Sequence, residues 1–218
     1  MSHQLEVDSI QLQFGLRRIL SDIYIKCETG AITGLLGRNG QGKTCLMNVI
    51  YGSLEANHKS VRIDGLPIVK AFKQKDVLTY LPQSYFIPGY LSLNRIFSDF
   101  QTAFSNFEAH FPEFKGAGTT RIKNLSGGQR RLVEVYLIVT AKSKFSMLDE
   151  PFSHLMPVHI DKIKLLINKE KAKKGFFMTD HLYQHLLDLC NDTYILKDGK
   201  THLIKNTDDI SSLGYAML

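Results

Sequence analysis

Tryptophan is absent from the 218 residues, and cysteine is nearly so: Cys27, Cys45 and Cys190 stand far apart. An odd, scattered set of thiols builds neither a disulfide framework nor a zinc site, which leaves buried or reduced thiols. Long apolar runs are missing too. Stretches such as Val135 to Val139 fall far short of the roughly 20 residues that span a bilayer. No charged-then-apolar leader opens the chain, so the expectation is a cytosolic protein. Internal repeats and low-complexity tracts are also lacking.

The chain has 44% hydrophobic and 22% charged residues, the composition of a globular protein long enough to bury a sizeable core. A net charge of +6 is compatible with phosphates, acidic lipid surfaces or nucleic acid, and does not choose among them.

Periodicity organises the chain into an α/β pattern with an interruption. Val7, Ile10, Leu12 and Phe14, then Ile23 and Ile25, predict half-buried strands. The compact run 31–37 predicts a buried strand, and 44–52 a helix closed by Gly52. Strands are predicted at 60–65 and 77–83, the latter stopped by Pro82. From Ser84 to about Thr140 the chain turns rich in Phe and Tyr at helical spacing, read as a helical subdomain of about 84–140 inserted in a core of about 1–83 and 141–218. The alternation returns with strands at 144–148, 175–179 and 193–200 and a helix over 158–174.

The chemistry starts at Gly37-Arg38-Asn39-Gly40-Gln41-Gly42-Lys43-Thr44, which fits G-x-x-x-x-G-K-[ST] between a predicted strand and a predicted helix. Main-chain N–H groups of such a loop close around phosphates, Lys43 adds a point charge, and the Thr44 hydroxyl can ligate Mg²⁺. A plain glycine-rich turn would explain the glycines but not Lys43-Thr44. Asp149 and Glu150 end the strand at 144–148, where buried acids need a cationic task. In a P-loop protein Asp149 helps hold the Mg²⁺ and Glu150 stands beside the γ-phosphate to polarise a water.

Leu125-Ser126-Gly127-Gly128-Gln129 contains a capping box, Ser126 with Gln129 three residues on. Together with the P-loop and the acid pair, it resembles the signature of ABC-type ATPases, at the usual interval of twenty residues before Asp149. The resemblance covers nearly the whole chain. It implies the P-loop NTPase core of ABC-ATPase type, with an N-terminal antiparallel β region and the helical insert. It further implies ATP and Mg²⁺ as ligands, Gln83 as sensor of Mg²⁺ and γ-phosphate, and His181 as the switch histidine. Phe14 sits where the family stacks an aromatic on adenine; a core strand Phe is the competing reading. His181 and His185 stand four apart, but a zinc motif would need a Glu and a third ligand that are lacking, and His185 reads as a surface helix residue.

The resemblance also implies a head-to-tail dimer, homodimer or paired, in which Ser126–Gln129 of one copy meets the P-loop of the other. The expected partner is a transmembrane permease, the place peripheral on the inner face of the cell membrane, and no nucleic acid is expected. A transport ATPase is the leading function. A non-transport ABC-type ATPase is an alternative, disfavoured by the lack of heptads, of a second ATPase unit and of zinc-binding cysteines. A weakly hydrolysing regulatory module is another, because the family's Asp after Ser-x-Leu is Met156 here.

Overall fold

The computed structural model describes residues 2–181, 183–204 and 209. Its first strands form an antiparallel sheet: β1 (Gln4–Phe14) carries β3 (Tyr24–Glu28) on one edge of its first half, β2 (Arg17–Leu20) beyond it, and β5 (His58–Ile63) on the other edge. β6 (Leu66–Pro67) extends β5 through Asp64-Gly65, both at positive φ, the geometry of a two-residue hairpin turn.

A second sheet of six strands runs β11-β10-β4-β9-β8-β7. β4 (Ile32–Leu36), β7 (Leu78–Leu81), β8 (Phe145–Asp149), β9 (Gly175–Thr179) and β10 (Asp192–Lys197) are parallel, and β11 (Lys200–Leu203) folds back on β10. Every residue of β4, β8 and β9 is buried, as a sheet covered on both faces requires. Alternate side chains of one strand therefore feed different cores: Phe145 and Met147 join the layer formed with the antiparallel sheet and α1 (Lys43–Tyr51), Leu148 the helical layer.

That helical layer contains α2 (Leu93–Asp99), α3 (Phe104–His110), α4 (Gly127–Thr140), α5 (Pro157–Glu170) and α6 (Tyr183–Leu189). Phe97, Phe107, Phe111, Phe114 and Tyr136 pack ring against ring, filling the aromatic-rich insert and tying it to α4. α5 ends four residues earlier than its periodicity predicts, because Lys174 turns inward. Its ammonium donates to Ala141 O (2.7 Å), Ser146 Oγ (2.9 Å) and Ile138 O (3.3 Å), so Ser146, polar in an apolar strand, has partners. His185 is half-buried with its ring against Phe152, where the sequence had read a surface residue.

The strand order decides where chemistry can occur. β4, β7, β8 and β9 point the same way and end nearly flush, with Leu35 and Asp149 both opposite Thr179 and Leu81 opposite Leu148. Residues that follow these four strands are thereby gathered along one edge, where ligands of parallel α/β sheets bind.

Candidate active site

The loop after β4 leads straight into α1, with Gly42 at the helix N-cap in the left-handed region at φ 99°, a conformation open to glycine. Lys43 is almost fully buried, and its ammonium donates to Gly37 O (2.5 Å) and Arg38 O (3.3 Å). Burial lowers its pKa, while Glu150, Asp149 and Asp180 favour the charged form. The cation is thus held inside its own loop by carbonyls that a phosphate oxygen can replace as partners.

Asp149 is 1% exposed. Tyr80, in β7, donates its hydroxyl to Asp149 Oδ2 at 3.1 Å, and the Thr44 side chain lies near the same carboxylate. Burial raises the Asp149 pKa, and Thr44 and Tyr80 beside it oppose the rise. The two residues that the sequence assigns to one metal, Thr44 and Asp149, are therefore neighbours.

Glu150 sits at φ 51° just past β8. Its Oε2 accepts from Gln83 Nε2 (3.0 Å) and Ser153 Oγ (3.3 Å), and His181 Nδ1 lies 3.3 Å away. Gln83 follows β7 and His181 follows β9, so the three predicted catalytic side chains converge on one oxygen from three strand ends. They line a cleft of about 630 Å³ together with Asn39, Gly40, Gly42, Lys43 and Thr44.

Other assigned residues lie elsewhere. Phe14 is 51% exposed at the β1–β2 hairpin, so the buried-core reading fails; it is not on the cleft wall, where Arg17 and Ile19 stand instead. Ser126 to Gln129 open α4 with both capping-box bonds formed, Gln129 N to Ser126 Oγ at 3.2 Å and Ser126 N to Gln129 Oε1 at 3.0 Å. None of the four lines the cleft. A Cβ at Gly128 would stand 2.6 Å from His154 O, so the segment after Glu150 packs directly on this helix start.

Sequence reasoning missed Tyr80, Ser153, Arg17 and Ile19. Tyr80 reads as an ordinary strand aromatic, and only its position across from Met147 brings it to Asp149.

Known proteins resemble this chain. Residues 20–153 match the model of the ABC transporter family. The lipopolysaccharide export system ATP-binding protein LptB of Escherichia coli K12 is 31% identical over 205 residues, covering 86% of this chain and 83% of its own. The protein of that name from Acidithiobacillus ferridurans is 28% identical over 219 residues, covering 92% and 89%. Among solved structures, an ATP-binding subunit of an ABC transporter superposes with TM-score 0.82 at 20% identity over 96% of this chain and 93% of that one. A bacterial Atm1-family ABC exporter with ATP bound superposes with TM-score 0.84 at 15% identity, over 97% of this chain and 40% of the exporter, a likeness of fold. With its P-loop, acid pair and capped signature helix placed as described, the chain belongs to the ABC transporter family as one of its ATP-binding, ATP-hydrolysing domains.

Proposed function

We propose that the chain works as a head-to-tail dimer that binds Mg-ATP and drives a separate transmembrane subunit, with Glu150 polarising the attacking water. The observation that carries the reading is the meeting of Gln83, Glu150 and His181 at the mouth of the P-loop cleft. Lys43 and the loop N–H groups of residues 37–44 bind the phosphates. Glu150 takes the proton of the incoming water, held in aim by Gln83 and Ser153, while His181 faces the terminal phosphate.

The donor set suits Mg²⁺, a hard cation that takes one or two carboxylates together with substrate phosphates. Asp149 and Thr44 offer neighbouring oxygens, and Gln83 reaches the adjacent Glu150. Bound there, Mg²⁺ would neutralise phosphate charge.

That Ser126–Gln129 lies outside its own chain's cleft supports a facing copy as the receiver of this loop. Pairing with an identical copy, the subdomain limits of about 84–140, and peripheral attachment to the inner face of a membrane belong to the same proposal. Among the described residues no helix is long and apolar enough to cross a membrane, so any path for a transported substance would come from the partner. The role of the LptB relatives in lipopolysaccharide export supports an export machine as that partner.

Glu150→Gln tests the reading. It should keep ATP affinity, lose roughly 10²–10⁴-fold in turnover, and accumulate an ATP-bound dimer in sedimentation with Mg-ATP. Near-normal turnover would remove Glu150 from its role.

A further inference from the structure

Arg131, on α4, is among the largest fully buried side chains, at 1% exposure. We infer that Arg131 is a positioning residue for ATP hydrolysis: its guanidinium fixes the main chain on both sides of Glu150 and so aims that carboxylate into the cleft. The inference rests on the reading of Glu150 as the water-polarising group.

The backbone geometry carries it. Glu150 has φ 51°, which a residue with a Cβ keeps only where its surroundings over-determine it. The two peptide planes that flank its Cα set that conformation. The first is held at both polar atoms, Glu150 N–H donating to Thr179 O at 2.8 Å and Asp149 O accepting from Arg131 Nη2 at 2.6 Å. The second has no N–H, because residue 151 is proline. Its oxygen, Glu150 O, takes the same Nη2 at 2.9 Å and only a longer contact, 3.3 Å, from Ser153 N. Without Arg131 the second plane would depend on that longer contact alone.

The other arm of the fork reaches the neighbouring strand end. Arg131 Nη1 donates to Pro82 O at 2.7 Å, and Pro82 precedes Gln83, whose amide donates to Glu150. One rigid group therefore spans the ends of β7 and β8 and sets the spacing of Gln83 from Glu150. A guanidinium can serve three carbonyls in fixed directions, whereas a lysine ammonium is a flexible point charge. Burial disfavours the charge, and the acids Glu134, Asp149, Asp180 and Glu150 offset this.

The test uses Arg131→Lys and Arg131→Gln in the full chain, beside the parent and Glu150→Gln. Turnover of both Arg131 variants should fall about 10–100-fold while KM for ATP stays within about threefold, the pattern of a mis-aimed group rather than a lost binding contact. In the Glu150→Gln background, Arg131→Lys should change the residual rate by less than about threefold, because the carboxylate it aims is gone. A purely structural role would lower the rate by the same factor in both backgrounds, and that outcome overturns the proposal. Arg131→Lys turnover within about twofold of the parent, with Glu150→Gln crippled, overturns the positioning role and leaves the Glu150 reading standing. A normal rate in Glu150→Gln removes the reading beneath it. Should neither Arg131 variant fold, as judged by thermal melting, the guanidinium is a stability element and the proposal falls too.

Discussion

Met156→Asp separates two effects that the sequence alone ran together. Met156 is the N-cap of α5, with extended backbone (φ −72°, ψ 151°), no side-chain cap and 57% exposure, and Pro157 follows at the first helical position. An Asp in this place can accept from the N–H groups of the first turn and puts a negative charge at the positive end of the helix. A good cap contributes about 1 kcal/mol, and the charge at the dipole a further ~0.3–1 kcal/mol. For a chain of this size, about 1–2 kcal/mol raises the midpoint of thermal unfolding by roughly 3–6 °C. Met156→Asn keeps the cap without the charge and should retain most of the gain. The part due to charge should shrink with added salt. Thermal melts of nucleotide-free protein measure this before any dimer forms. The second effect concerns the facing copy: a charged hydrogen bond across the interface is worth about 1.5–3 kcal/mol, or tenfold and more in the dimer constant. Sedimentation of Glu150→Gln protein with Mg-ATP, with and without Met156→Asp, reads it. An unchanged or lowered melting point in Met156→Asp would refute the capping argument. A raised melting point with an unchanged dimer constant would show the segment to be built around Met156.

Two further outcomes follow from buried and exposed groups. Burial pushes the Lys174 ammonium down to about 7, so between pH 7 and about 10 the unfolded chain binds a proton that the folded one lacks, and stability rises with pH through that window. The slope is at most about 1.4 kcal/mol per pH unit; it should vanish in Lys174→Met, and equal slopes in urea unfolding of the two proteins would contradict this. Near the Pro88-Gly89 turn Tyr85 and Tyr90 are exposed, whereas Ile87 is buried and Phe86 half-buried against Phe100, so if the proposed membrane partner docks at this turn, Tyr85 and Tyr90 are the aromatics left to meet it. Tyr90→Ser should release the membrane partner and spare ATP binding, and undiminished co-purification would move the docking site elsewhere.

What could be read from the sequence follows from the distance over which each signal acts. The P-loop is contiguous: its glycines, Lys43 and Thr44 lie in one turn and one helix start. The capping box of Ser126 and Gln129 is equally local, and both its bonds form. Asp149 was legible as an acid ending an apolar run, whereas Gln83 and His181 were legible only through the family resemblance; parallel strands that end together explain why all three reach one edge. Where a local signal was passed over, the error is instructive. Asp198-Gly199, at φ 50° and 78°, turns the expected single strand of 193–200 into the β10–β11 hairpin, and an Asp-Gly pair between strands is the usual mark of that turn.

Arg131 belongs to the other class. On a helix it follows another arginine, Arg130, and precedes a run of apolar residues, a pattern that reads as the solvated edge of an amphipathic face. Its hydrogen bonds go to main-chain oxygens 49, 18 and 19 residues away, and a carbonyl carries no trace of its partner in residue type. The same holds for Tyr80, whose strand character is plain and whose hydroxyl partner is set by strand register. Residue type marks the groups that meet a phosphate, since that chemistry needs Lys, Asp, Glu or a run of glycines. It does not mark the groups that hold the main chain behind them, because their partners are carbonyls, which every residue carries. Those become visible only when a side chain as costly to bury as Arg131 is found with its hydrogen bonds directed at the turn that carries Glu150.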